Sequence, residues 1–416
     1  VTTGPADVDA VYRAEFGRAL ATLVRLVGDI GLAEDAVHEA FADALRSWPG
    51  HGLPSNPGAW ITTAARHRAL DRLRRESSRA AKEQDAVRLD RNGYPAPDEE
   101  LDMSPVADDQ LRMIFTCCHP ALSAESQVAL TLRLVCGLRT AEIARAFLQP
   151  EHTVAQRLTR AKAKIRQAGI PLRVPPAHLL PERLPAVLSC VYLVFSEGYF
   201  ATSGSSAVRD ELCEEAIRLG RLLCGLLPAE PEARALLALM LLNDSRRDQR
   251  RSGTGELVPL EEQDRTRWNR PAIESGLRCL ISAAARGHSG PYLAQARIAA
   301  AHAVAPSWEQ TDWRAIVSAY DELARYTRSP AVQVNRAVAI AFRDGFDAGS
   351  AALDAVADHP RLAGSHQVAA TRADLCRRAG RYAEAAEHYR QAIASAGNEQ
   401  VRRFLIRRLA EVEAAE

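Results

Sequence analysis

Residues 83–109 most constrain how this chain can be organised, because their composition is that of a solvated connection and not of a compact core. They hold nine Asp or Glu against two Arg, with Pro95, Pro97 and Pro105 among them. Such a segment cannot bury enough apolar surface to offset the entropy of ordering it, so a flexible acidic linker is expected over 83–107. Both flanks are basic. Between Arg66 and Lys82 stand seven Lys or Arg against two acids, and between Val154 and Ala168 five against none. Since the net charge of the whole chain is only +1, these are local patches and not a uniform polycationic coat. A chain of 416 residues exceeds one ordinary core, so roughly two to four domains are expected. Leu-, Ala- and Arg-rich stretches with few aromatics favour helix, and the fold class expected is all-α.

The eight cysteines, Cys117, Cys118, Cys136, Cys190, Cys213, Cys224, Cys279 and Cys376, form no CxxC pair. Their apolar neighbours at helical spacing mark them as buried reduced thiols, so neither a disulfide framework nor a metal site is expected. No opening signal peptide and no apolar run of about 20 residues occurs, so the reading is cytoplasmic, with no membrane partner. No nucleotide loop, HExxH motif or nucleophile elbow is present, so no catalytic residue, cofactor or enzymatic activity is assigned.

The first module is read over 8–82. Val11, Phe16, Leu20, Leu23, Val24 and Val27 recur at three- and four-residue steps, giving an amphipathic helix that ends near Gly28. A second helix opens after Asp29, a natural cap. Ala36, Val37, Ala40, Phe41, Ala44 and Leu45 point inward; Glu34, Asp35, His38, Glu39 and Asp43 are expected on its outer face. The loop from Trp48 to Pro57 breaks the chain. A third helix comes next, with Trp60, Ile61, Ala64, Ala65, Leu70 and Leu73 as its apolar side. It carries Arg66, His67, Arg68, Arg72, Arg74 and Arg75, a density of charge suited to DNA phosphates.

The second module is read over 108–169. Leu111, Ile114, Phe115, Cys118, Leu122, Val128, Leu130, Leu132 and Leu134 describe two short helices. Thr140 then caps a helix that a break separates from Val154 to Ile165. Small Ala144 allows close crossing, and Ile143, Phe147, Val154 and Leu158 share a core: a helix-turn-helix. Its second helix would offer Gln156 to adenine and Arg160 to guanine, with Arg157, Lys162, Lys164 and Arg166 on phosphates.

A proline-rich hinge is expected over 170–185, and beyond it a helical extension over 186–416. Gly380 to Ile393 places small and aromatic residues as in a tetratricopeptide repeat. A degenerate copy starts at Gly345, close to the roughly 34-residue period, and Gln400 to Ala414 resembles a terminal cap. Stacked hairpins of this kind leave a concave surface for a peptide, protein or ligand. Polar and aromatic clusters at Ser196–Tyr199, Asp264–Trp268, Tyr292 with Gln295, and Thr311–Trp313 are either loop anchors or a binding wall.

The first module resembles region 2 of extracytoplasmic-function (ECF) sigma factors, in Ala33-Glu-Asp-Ala-Val, Glu39-Ala-Phe, Pro57-Gly-Ala-Trp60-Ile and Ala65-Arg-His-Arg-Ala-Leu-Asp-Arg-Leu-Arg-Arg75. The second resembles region 4, in Glu142-Ile-Ala, Thr153-Val and Arg160-Ala-Lys. The whole chain looks like the sigma subgroup with a tetratricopeptide-like extension. The resemblance implies a promoter-directing subunit of RNA polymerase. Glu34, Asp35, His38, Glu39 and Asp43 would dock on the β′ clamp helices. Trp48, His51, Asn56, Arg66, His67, Arg68, Arg72, Arg74 and Arg75 would meet the −10 element. Thr153, Gln156, Arg157, Arg160, Lys162 and Lys164 would meet the −35 element beside the β-flap, while the extension regulates. A stand-alone helix-turn-helix regulator with a sensing repeat domain is the alternative reading, and a repeat scaffold with incidental basic helices is another.

Overall fold

A computed structural model describes residues 5–85, 106–200, 206–250 and 258–415, apart from positions 148, 286, 288, 364 and 398. Most of the expected linker, and residues 251–257, lie outside the described residues. Among the described residues the structure is all-α, without a strand. It divides into two compact units: Val1–Gly198 with Ser206–Glu215, and Tyr199–Ser205 with Ala216–Glu416.

In the first unit, α1 (Pro5–Val27), α2 (Ile30–His51) and α3 (Pro57–Asp85) pack on one another. Gly28, at φ 71°, turns the chain between α1 and α2, and the Asp29 side chain caps α2 by accepting from Leu32 N at 2.9 Å. Phe16, Leu20, Leu23, Val37, Phe41 and Ile61 close the core. Two residues expected inside lie outside: Leu45 is half exposed and Leu73 exposed. The expected break at Trp48 comes later, because α2 continues through Pro49 to His51. Proline there removes a donor only from the last turns of the helix, which still closes with Gly52 N on Trp48 O at 2.8 Å.

Then come α4 (Val106–Cys117), α5 (Ala124–Leu130), a π-helical turn (Thr131–Val135), α6 (Thr140–Ala146) and α7 (Glu151–Gln167). All the apolar residues expected inside between Leu111 and Leu134 are buried. Ser123 caps α5 through Ser126 N. Thr140 is not the cap of α6: it is the first helical residue, and the Glu142 carboxylate reaches back to Arg139 N at 2.7 Å. A carboxylate at this position satisfies an orphan donor better than a hydroxyl one residue too late. Ile143, Ala144, Val154 and Leu158 are buried where α6 crosses α7, with Phe147 half-buried. The segment expected to be a hinge holds a 3₁₀ turn (Ala177–Leu179) and the start of α8 (Leu180–Phe200). Arg183 of α8 donates to Phe115 O at 3.0 Å and the Cys190 thiol to Thr131 Oγ1 at 3.4 Å, so much of α8 belongs to this unit.

The second unit takes up the chain within α9 (Ser206–Leu226). It then builds hairpins from α10 (Pro231–Asp244) with α11 (Arg270–Ala284), α12 (Pro291–Val304) with α13 (Trp313–Leu323), α14 (Pro330–Asp344) with α15 (Phe346–Ala357), and α16 (His366–Arg378) with α17 (Tyr382–Ser395). A last helix, α18 (Glu399–Glu413), covers α17. Alanines at 373, 385, 386 and 392 surround Tyr389 in the final hairpin. Gly349 permits the α14–α15 approach, since any side chain there would strike Ala341. Two of the polar clusters contain anchors: Asp312 caps α13 through Ala315 N at 2.9 Å, and buried Arg265 donates to His302 O at 2.7 Å and Ala305 O at 2.8 Å. No described helix is long and apolar enough to cross a membrane. None of the eight cysteines is joined in a disulfide, and no metal-binding cluster occurs among the described residues.

Candidate nucleic-acid interface

Helical spacing on α2 carries Asp35, Glu39 and Asp43 along one edge, four residues apart, facing α3. Arg68 bridges Glu39, at 3.0 Å, and Asp43; Arg72 bridges Asp35, at 3.1 Å, and Glu39. The acidic and basic faces expected to meet different partners thus form one ladder. At this level of exposure each rung contributes no more than about 1 kcal/mol, so the ladder orients side chains while leaving them exchangeable. Asp35 remains the most open of the three carboxylates.

Glu34 corrects the sequence reading. It is 6% exposed, turned away from the outer face. Its two carboxylate oxygens meet Arg133 Nε at 2.7 Å and Lys162 Nζ at 2.9 Å. Burial would raise this carboxyl, but the two cations overcome it and hold the group below its ordinary range. His38 sits beside it, half-buried, with Nε2 accepting from Arg133 at 2.8 Å and Tyr12 OH at 3.4 Å away. Burial, then the Arg133 charge, lowers the imidazole, and because a guanidinium can only donate, Nε2 is the accepting nitrogen. One turn of α2 therefore faces the second module.

Trp48 is 2% exposed and packs edge-on against Trp60 at 5.4 Å between centroids, so it supports the loop from below and offers no open face. His51 Nδ1 is 2.9 Å from Ser47 O, and Asn56 caps α3 by accepting from Ala59 N at 3.0 Å; both are exposed. Arg66, His67, Arg74 and Arg75 are exposed along α3. On α7, Gln156, Arg160 and Lys164 are exposed, with Arg160 3.3 Å from the Gln156 amide oxygen. Thr153 is half-buried, and Arg157 is held by Gln149 at 2.9 Å. Lys162 is committed to Glu34, and Arg166 approaches Asp29 at 3.3 Å.

Sequence reasoning missed Arg133, Arg139 and Asp9. Arg133 carried one signal, a lone cation inside the apolar run Thr131–Val135.

Residues 11–79 match sigma-70 region 2 and residues 112–165 match sigma-70 region 4. Residues 183–284 match a family of unknown function, DUF6596. The probable ECF RNA polymerase sigma factor SigI of Mycobacterium tuberculosis is 28% identical over 171 residues, 41% of this chain and 58% of that protein. The ECF RNA polymerase sigma factor SigK of Mycobacterium bovis is 27% identical over 185 residues, 39% of this chain and 96% of that protein. Two helical modules matching these regions in this order define a sigma factor of transcription initiation, a class that acts without enzymatic chemistry. The Rhizobium meliloti protein R00370, itself uncharacterized, is 43% identical over 382 residues, 92% of this chain and 90% of that protein. The chain belongs to its family.

Proposed function

We propose that the first unit grips core RNA polymerase through α2 and promoter DNA through α3 and α7. Asp35, Glu39 and Asp43 form the docking edge for the β′ clamp helices, Glu34 and His38 joining them when they are uncovered. His51, Asn56, Arg66, His67, Arg74 and Arg75 face the −10 element, with Arg68 and Arg72 released from the α2 ladder as phosphate contacts. Gln156 and Arg160 read the −35 element, flanked by Lys164 on phosphate and by the β-flap. Trp48 supports the loop. The second unit acts as a repeat-like regulatory domain for a peptide or protein partner. The observation that carries this reading is an ordered pair of exposed polar and cationic helix faces, on α3 and α7, within the two segments matched as regions 2 and 4.

The test is run-off transcription with purified core enzyme and the purified chain. Promoter-dependent product that falls with Arg160→Ala and Arg74→Ala is expected. Tight sequence-specific duplex binding without any affinity for core polymerase would replace the proposal with a stand-alone regulator.

A further inference from the structure

In the second unit the connection between α10 and α11, residues 245–269, is far longer than the roughly two to eight residues that join neighbouring helices in most bundles. Its later part crosses the unit as a strap. Val258 N donates to Arg250 O at 2.9 Å, which fixes where the strap begins, and Leu260 packs against Leu242, Trp268 and Ile273 of the first hairpin. A 3₁₀ turn (Leu260–Glu262) then presents two carboxylates to α16 and α18. Glu261 pairs with Arg378 and lies 3.4 Å from Arg408 and 3.8 Å from Arg377; Glu262 pairs with Arg408 and approaches Arg407 at 4.0 Å. The arginines are also held from their own helices. Asp374 meets Arg377 and Arg378 at 2.7 Å each, Glu411 meets Arg408 at 2.7 Å, and the guanidinium groups of Arg378 and Arg408 sit over the rings of Phe342 at 5.0 Å and Phe404 at 5.4 Å. Beside these pairs, the rings of Trp308, Phe342, Tyr389 and Phe404 line a cavity of about 290 Å³ that Glu261, Arg378 and Arg408 also border.

We propose that this cavity and its arginines recognise an acidic peptide of a partner protein, one that carries adjacent carboxylates next to a bulky apolar side chain, and that Glu261 and Glu262 are the chain's own stand-in for it. The inference deepens, and rests on, the reading of the second unit as a regulatory domain for a peptide or protein partner. With the strap's two glutamates set aside, these ion pairs place four arginines, Arg377, Arg378, Arg407 and Arg408, against Asp374 and Glu411, a surplus of positive charge. A planar guanidinium accepts a carboxylate through two parallel donors. Because Asp374, Glu411 and the two phenylalanine rings already orient the arginines, binding costs little further side-chain entropy. The strap answers the charges but brings no apolar side chain to the four rings. A peptide that inserts one gains burial and ring contacts that Glu261 does not supply. It also exchanges carboxylate for carboxylate, so no arginine is left bare. The occupant already seated on these arginines is a polypeptide turn, which favours a peptide over a nucleic acid.

The probe is a fluorescein-labelled peptide, Val-Pro-Leu-Glu-Glu-Trp, which copies residues 258–262 and adds one ring for the cavity. Its anisotropy is followed with the full parent chain and with the full chain carrying Glu261→Gln and Glu262→Gln together. If the strap's glutamates hold the arginines in more than about nine-tenths of the parent molecules, the double variant binds at least about tenfold tighter. Adding Arg378→Ala or Phe404→Ala to the double variant lowers that binding, and a probe with Gln at both acidic positions does not bind. A double variant of native helicity that binds no tighter than the parent, or that shows no binding up to about 1 mM, overturns the inference. So does binding that survives both Arg378→Ala and Phe404→Ala. Preference of the double variant for a single-stranded oligonucleotide over the peptide overturns it as well and assigns the arginines to nucleic acid. Run-off transcription with the probe added separates the site from its role: a probe that binds as described while leaving transcription unchanged supports the site and defeats the regulatory reading of the second unit.

Discussion

Lys162 Nζ lies 2.9 Å from Glu34 Oε2 across 128 residues of sequence, so one ion pair joins the candidate polymerase helix to the helix that carries the candidate base readers. Glu34→Gln should therefore weaken the first unit. A charge-assisted contact to a largely buried carboxylate contributes about 1.5–3 kcal/mol. Chemical unfolding monitored by a probe confined to this unit should show a loss in that range. A loss below about 0.5 kcal/mol would mean that the pair behaves as an exposed one.

Acid should loosen the same interface. The Glu34 carboxyl and the His38 imidazole are both lowered from ordinary values of 4.5 and 6.5. For each, the unfolded chain binds the proton first as pH falls, so the stabilisation is complete above the ordinary value and is lost on descending through the folded one. His38 faces Tyr12 of α1, Arg133 of the π-turn and Lys162 of α7, with Glu34 and Asp35 on its own helix. Stability of the first unit should thus decline below about pH 6.5, where an ordinary histidine begins to protonate, and more steeply in the carboxylate range. His38→Gln should flatten the upper part of that profile.

In the second unit His302 stacks on Trp308 at 6.0 Å and meets Trp313 edge-on at 5.5 Å. Burial, with Arg246 and Arg265 nearby, lowers it to about 3. Its neutral form should persist in the folded state through mild acid. Ring-proton NMR shifts of His302 should stay flat between about pH 5 and 8, the range in which an exposed histidine titrates. A midpoint near the ordinary value would show that the ring is hydrated.

Gly349→Leu should part α14 from α15. The new side chain meets Ala341 and the Ala337 carbonyl, an overpacking cost of about 1–3 kcal/mol or more. Thermal unfolding of the second unit should shift downward, while unfolding followed by a probe confined to the first unit stays unchanged.

On DNA, Arg160→Ala should relax discrimination at one base pair by about 1–3 kcal/mol, whereas Arg74→Ala should weaken all sequences alike and lower the salt slope by about 1. Binding isotherms on matched and mismatched duplexes at two salt concentrations separate the two outcomes.

The helices were legible because their apolar residues repeat at helical spacing: Phe16, Leu20 and Leu23 of α1, and Val154 and Leu158 of α7, are buried as their positions demanded. Asp29 announced its cap. The direction of Glu34 was hidden, because a carboxylate flanked by Asp35 and Glu39 reads as solvent-facing when its cations lie 99 and 128 residues downstream. Trp48 was misplaced for a local reason: Pro49 looked like a helix stop, yet so near a C-terminus its missing donor interrupts little. The cap at Arg139 was obscured because Glu142 supplies the side chain from inside the helix, where the residues themselves favoured Thr140.

The wide turn at Thr131–Val135 closes with Cys136 N on Thr131 O at 3.1 Å, accommodating one residue beyond the ordinary helical count. Deleting any residue of that turn would rotate the downstream chain by about 100°, carrying Gly137 and Arg139 away from Phe16 and Asp9. The register of that one turn therefore decides whether the two modules of the first unit can meet at all, and the gain or loss of a single codon would undo the match.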